Sequence, residues 1–231
     1  MDSTPSFGEQ VIAFNKQLGY TGDLPDGFAV INPFTENPET IPTMERFYRK
    51  FYNDRNRRKF IIGINPSRHG AGITGVPFTD TKRLSSVCGI DMETAYSHEP
   101  SSVYVYDVIE QYGGPQAFYH DFYINSPFPL AIIRHNERNR WVNANYYDDK
   151  ALFHAVKPFM VATLKKHLAL PVDASKVYVL GKKNADFLAR INAEEHLFGE
   201  LVVLDHPRFI QQYKSREKAD YLLRYLTLLS S

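Results

Sequence analysis

The sequence predicts an α/β fold, a three-layer α/β/α sandwich around a central, mainly parallel four-stranded sheet. Three observations lead there. Short apolar runs rich in β-branched and aromatic residues, at 59–64, 121–124, 176–180 and 201–204, stop at turn or polar residues and read as buried strands. Helix-like segments separate these runs, and strands that alternate with helices favour parallel pairing because each parallel neighbour needs a crossover connection. The 231 residues suffice for one core, so a single domain over 1–231 is expected.

The elements follow in order. Helices are expected at 7–18 and 43–52 ahead of the first strand, and at 81–87 and 101–112 between the first and second. Segment 150–168 fills the second crossover and 182–191 the third, and 215–229 closes the chain. The proline-rich stretch 24–42 and the stretch 134–149 read as extended surface loops. Loops of that length are often functional. No internal repeat, low-complexity tract or linker divides the chain.

Composition narrows the function classes. Twenty-seven Lys and Arg nearly cancel 26 Asp and Glu, so there is no global cationic field and any nucleic-acid contact must be local. A lone cysteine, Cys88, rules out a disulfide framework, a four-cysteine zinc site or a cysteine-held iron–sulfur cluster from this chain alone, and points to a reducing compartment. Neither a leader-like apolar run near the start nor a membrane-length apolar stretch is present. A cytoplasmic monomer without membrane contact is expected.

In open parallel sheets ligands gather outside the carboxyl ends of the strands. Here the residues following the four runs are unusually polar: Asn65-Pro66-Ser67-Arg68-His69-Gly70, Asn125-Ser126-Pro127, Gly181-Lys182-Lys183 and Asp205-His206-Pro207-Arg208. Folding should bring these tips together. The inventory holds two amides, an imidazole and several cations, without a serine or cysteine nucleophile and dedicated base, which argues against acyl transfer. Phosphate-loop and dinucleotide-binding glycine spacings are missing, as is a His-Glu-x-x-His metal motif, so neither a cofactor nor a metal is expected. Arg55, Arg57, Arg58 and Lys59 precede the first strand and should lie at its opposite end.

The segment from Gly63-Ile64-Asn65-Pro66 to Thr74-Gly75-Val76-Pro77-Phe78 resembles the first motif of the single-strand-selective monofunctional uracil-DNA glycosylases, which runs Gly-Met-Asn-Pro-Gly and then Thr-Gly-Val-Pro-Phe at the same spacing. His206-Pro207 is similar to the histidine-proline pair that ends the last strand in the uracil-DNA glycosylase superfamily. Tyr123-Ile124-Asn125 resembles the strand end whose asparagine reads the base. Two departures mark a divergent second subclass. Ser67 and Ala71 stand where that group has glycine and methionine, and Arg208-Phe209-Ile210-Gln211-Gln212-Tyr213 replaces its Ser-Pro, so the DNA-wedging loop is rebuilt.

The resemblance implies a glycosylase that extrudes a uracil and hydrolyses its N-glycosidic bond. In that reading Asn65 positions the water and His206 stabilises the leaving base. Ile64, Ser67, Phe78 and Asn125 bind the base, with Phe78 as stacking floor and Asn125 reading the O4 and N3 edge. Pro66, Lys182, Lys183, Pro207 and Arg208 contact DNA, the lysines at a helix start suited to phosphate. The partner is DNA containing uracil or another deaminated base. Xanthine or hypoxanthine as preferred base, a non-catalytic binder of damaged DNA, and a small-molecule hydrolase remain the alternatives.

Overall fold

The computed structural model describes residues 4–93 and 95–230. The chain opens with α1 (Phe7–Lys16), β1 (Phe28–Ile31), α2 (Pro33–Glu36) and α3 (Thr40–Phe51). Then come β2 (Arg58–Ile62), α4 (Ala71–Thr74), α5 (Thr81–Ser86), α6 (Pro100–Tyr112), α7 (Gly114–Asp121) and β3 (Phe122–Asn125). A hairpin of β4 (Ala131–His135) and β5 (Trp141–Ala144) precedes α8 (Lys150–Leu168), β6 (Val172–Leu180), α9 (Lys182–Glu195) and β7 (Glu200–Leu204). The chain closes with α10 (Pro207–Tyr213), a 3-10 turn at Ser215–Glu217 and α11 (Lys218–Leu229).

The expected four-stranded parallel sheet has the order β3-β2-β6-β7. Its two faces are covered by aromatic packing. On one face Phe60 stacks on Tyr123 at 5.4 Å between centroids, and both rings meet His167 of α8. Phe7 of α1 closes on Tyr123 edge-on at 5.1 Å. Side chains alternate along a strand, so Phe122 turns to the other face, against Tyr112 of α6 and Phe118 of α7. Capping oxygens fix where several helices begin: the Asp80 carboxylate accepts Arg83 N–H at 2.9 Å to start α5, and Asp149 accepts Leu152 N–H at 2.9 Å to start α8.

Register aligns the strand ends. Ile62 is level with Asn125 on one side and Val179 on the other, and Leu180 is level with Leu204. All four carboxyl ends therefore finish at one height. Among the described residues no helix is long and apolar enough to cross a membrane.

Both expected surface loops contain structure instead. The stretch 24–42 holds β1 and α2, and 134–149 holds the tip of the β4–β5 hairpin; these strands form a second, antiparallel sheet of order β1-β4-β5. The supposed wedging loop after His206 is helical, as α10, and α7 fills a stretch where the Gly113-Gly114-Pro115 sequence signals a break.

Candidate active site

A cavity of about 550 Å³ opens at the shared carboxyl end of the parallel sheet. The structure brings to its lining ten of the eleven residues singled out from the sequence: Ile64, Asn65, Pro66 and Ser67 from the β2 end, Phe78, Asn125 from the β3 end, Lys182 and Lys183, and His206 with Arg208. Pro207 is the exception. It is buried as the first residue of α10, where a missing N–H costs nothing and the fixed φ suits a helix start, so it shapes the helix and does not line the cavity. Arg55, Arg57, Arg58 and Lys59 do not line the cavity, in keeping with their place at the strand's other end.

Two asparagines are locked by the protein itself. The Asn65 amide donates from Nδ2 to Ala144 O at 2.9 Å, and its Oδ1 accepts Tyr146 N–H at 3.0 Å. Ala144 ends β5 and Tyr146 lies just beyond it, so β5 orients the side chain. A carboxylate here would face the Ala144 carbonyl, acceptor against acceptor, which explains an amide at this position. One lone pair of Oδ1 is left over.

Asn125 is fixed through a buried relay that can be read atom by atom. Ser126 O can only accept, so the Nε2 of His167, 3.2 Å away, carries the proton. Burial pulls the His167 pKa down to about 3, so the ring is neutral and its Nδ1 accepts from the Tyr123 hydroxyl at 3.1 Å. That leaves the Tyr123 oxygen to accept Asn125 Nδ2–H at 2.7 Å, while Asn125 Oδ1 accepts Ser126 N–H at 2.9 Å. The amide is thereby held in one of its two orientations. One N–H and one oxygen lone pair remain for a ligand edge.

His206 caps α10: its Nδ1 accepts Arg208 N–H at 3.2 Å. The proton is therefore on Nε2. Burial, with the nearby Arg208 charge, lowers the His206 pKa to about 4, which makes the group a neutral donor at pH 7. Gly181 permits this packing. Its φ of +97° is one that few L-residues adopt, and a Cβ there would lie 3.4 Å from the His206 Cβ.

Phe78 adopts φ +53°, a left-handed conformation that is costly for a bulky residue. The ring is pressed on Gly63, where a Cβ would come within 2.7 Å of Phe78 Cε2. The preceding motif residues hold this shape. Buried Thr74 donates from Oγ1 to Thr79 O at 2.7 Å and accepts Val76 N–H at 3.2 Å.

Some lining residues carry no sequence signal. The Glu99 carboxyl is held by the Ser67 hydroxyl, which donates to Oε1 at 2.8 Å, and Asp80 fixes its backbone by accepting Glu99 N–H at 2.8 Å. Burial pushes its pKa upward against the Ser67 hydrogen bond, and the Asp80 charge adds to the rise. Asn143 lines the cavity from β5 and accepts Arg68 N–H at 3.1 Å, which ties the loop after β2 to the hairpin. Lys183 lies 4.7 Å over the Tyr147 ring, and Lys182 is 3.6 Å from Asp205. No group of three or more His, Cys, Asp or Glu among the described residues is arranged to hold a metal ion.

The site thus combines an amide held in one orientation, a fixed N–H donor, an amide oxygen with spare capacity and an aromatic wall in one concave space. Residues 49–230 match the family model of the uracil DNA glycosylase superfamily. The crystal structure of wild-type Pedobacter heparinus SMUG2 superposes with a TM-score of 0.95 at 44% sequence identity, covering 98% of this chain and 98% of that one. No curated protein matches the chain.

Proposed function

The chain belongs to the uracil DNA glycosylase superfamily, as a SMUG2-like DNA glycosylase, and from that premise we propose that it excises uracil from DNA by monofunctional hydrolysis. The observation that carries this reading is the orientation of Asn125. With Nδ2–H and Oδ1 set by Tyr123 and Ser126, the amide offers a donor to uracil O4 and an acceptor to uracil N3–H. Cytosine would bring a donor against the donor and an acceptor against the acceptor. An unpaired buried group costs about 1–3 kcal/mol, which sets the scale of that rejection.

The target nucleotide must leave the base stack to reach such a cavity, and Phe78 supplies the surface on which the extruded ring rests. As the N-glycosidic bond lengthens, its electron pair goes to the base and positive charge grows on the sugar. The Nε2–H of His206 stabilises the anion at uracil O2, as an oxyanion-hole donor does. A neutral imidazole suits this task, since it donates without needing to be recharged between turnovers. Asn65 Oδ1 accepts one hydrogen bond from the water that attacks C1′. The new C–O bond forms, the C–N bond breaks, and the water's surplus proton leaves with base or solvent. An amide is a weak base, so its part is positioning.

A uracil-bearing oligonucleotide treated with the protein and then alkali tests this directly. Cleavage at the uracil position, and intact strands without alkali, are the expected results; strand scission by the protein alone, or no abasic site at all, would refute monofunctional excision. The Asn125 geometry also favours a second reading. Hypoxanthine and xanthine present the same C=O and N–H pair, and a cavity of about 550 Å³ has room for a purine. A panel of deaminated bases ranks them.

A further inference from the structure

The β4–β5 hairpin carries the chain's single tryptophan. Trp141 is 39% exposed, and its ring lies 3.8 Å from the His135 ring, tilted by 36°. The two are cross-strand partners, as are Ile133 and Asn143 one step inward. Side chains two residues apart on a strand share a face, about 7 Å apart. Asn143 lines the cavity, so the Trp141–His135 pair stands on that same face, one side-chain step beyond the cavity wall. Among the described residues no further ring packs on it.

The same hairpin carries three arginines and one carboxylate, Glu137. Arg134, Arg138 and Arg140 are exposed, and none of their guanidinium groups has an ion-pair or hydrogen-bond partner among the described residues. By contrast, Arg57 pairs with Asp173 and Arg58 with Asp54 at the far end of the sheet. The tip is also prepared. Asn136 Oδ1 accepts both Arg138 N–H and Arg140 N–H at 3.0 Å, Asn139 takes φ +53°, and His135 N–H donates to Gly27 O at 3.0 Å, which anchors the arm to β1. A rigid arm with an aromatic shelf and unneutralised arginines has the two elements by which unpaired nucleotides are held, stacking on a π face and phosphate neutralisation.

We propose that the β4–β5 hairpin is a DNA-holding arm, on which a base flanking the extruded nucleotide stacks against the Trp141–His135 pair while Arg134, Arg138 and Arg140 engage the backbone. This rests on the glycosylase reading for its substrate, but its test does not depend on turnover. Because Trp141 is the sole tryptophan among 15 tyrosines, emission excited beyond the red edge of tyrosine absorption reports the shelf alone. Titration with a uracil-free, fluorophore-labelled single-stranded oligonucleotide should quench that emission in parallel with the rise in label anisotropy. Trp141→Ala should raise KM for a uracil-bearing single strand roughly tenfold, with most of the loss restored by Trp141→Phe. Replacing the three arginines with alanine should flatten the log–log salt dependence of binding by about 2. If the oligonucleotide binds and uracil is released, but binding leaves the Trp141 emission of the unsubstituted protein unquenched and KM and salt slope stay unchanged in these variants, the arm is refuted and the glycosylase reading stands. If no oligonucleotide binds, the arm is refuted as well, and uracil release alone then judges the enzyme.

Discussion

The two ends of the parallel sheet use polar residues in opposite ways. At the amino end of β2 the side chain of Arg58 is fully buried. Four of its five N–H groups are taken up, by Tyr119 O, Asn56 O and both oxygens of Asp54, and its guanidinium lies between the Phe7 and Tyr52 rings at 4.5 and 4.7 Å. At the carboxyl end Asn65, Asn125 and His206 are each held on one side by protein atoms, and each keeps an unused donor or acceptor toward the cavity. Arg58 spends nearly all of its hydrogen bonds internally. Residues that face the cavity are half-satisfied, and the satisfied half aims the other.

The comparison predicts a separation of effects. Arg58→Met leaves Asp54 facing an apolar group and should cost about 3 kcal/mol, read as a shifted denaturation midpoint, with kcat/KM per folded molecule unchanged. A loss of specific activity without a loss of stability would break the contrast. His206→Ala should do the reverse, lowering excision about 10²- to 10³-fold while the lost α10 cap lowers the melting temperature by only a few degrees. Next in size is Tyr123→Phe. Removing the acceptor that orients Asn125 should reduce the preference for uracil over cytosine roughly tenfold, measured as a ratio of rates on matched oligonucleotides so that a general loss of fold cancels.

Acid sharpens the same division. His206, with its pKa lowered to about 4, should give the pH profile of kcat/KM an acid limb near that value and not near the ordinary 6.5. Stability responds as well. The folded pKa values of His206 and His167, about 4 and about 3, lie below the unfolded 6.5. The unfolded chain therefore binds more protons, and stability should fall as pH drops from 6.5 through that window. Melting curves at pH 7 and pH 5 check it. The smallest effect belongs to Lys183→Ala, which should raise KM about threefold and lower the salt slope of single-strand binding by about 0.7.

Much of this was legible in the sequence because long, periodic or β-branched segments dominate the parallel sheet and its helices, and because strand order dictates which tips converge. The β1-β4-β5 sheet was not. Its strands are four or five residues long, and Arg134, His135, Trp141 and Asn143 break any apolar alternation, so pairing across the sheet, and not local preference, makes them strands. α10 was hidden behind Pro207, which reads as a turn but is a favourable first helical residue. Among site residues, those at the tips of strands were found. Glu99 lies on a different element with no motif around it, and the Tyr123–His167 relay joins a residue that reads as strand core to one that reads as helix face, 44 positions apart. Only the folded geometry makes them partners.

Asn65 owes its aim to Ala144 O and Tyr146 N–H, two main-chain atoms at the foot of the hairpin. Main-chain anchors cannot be mutated away, yet they travel with the segment that bears them. A push on the hairpin is thus a torque on the Asn65 amide, and under the proposed mechanism substitutions in the hairpin stem that touch neither base nor sugar should detune the chemistry by tilting it.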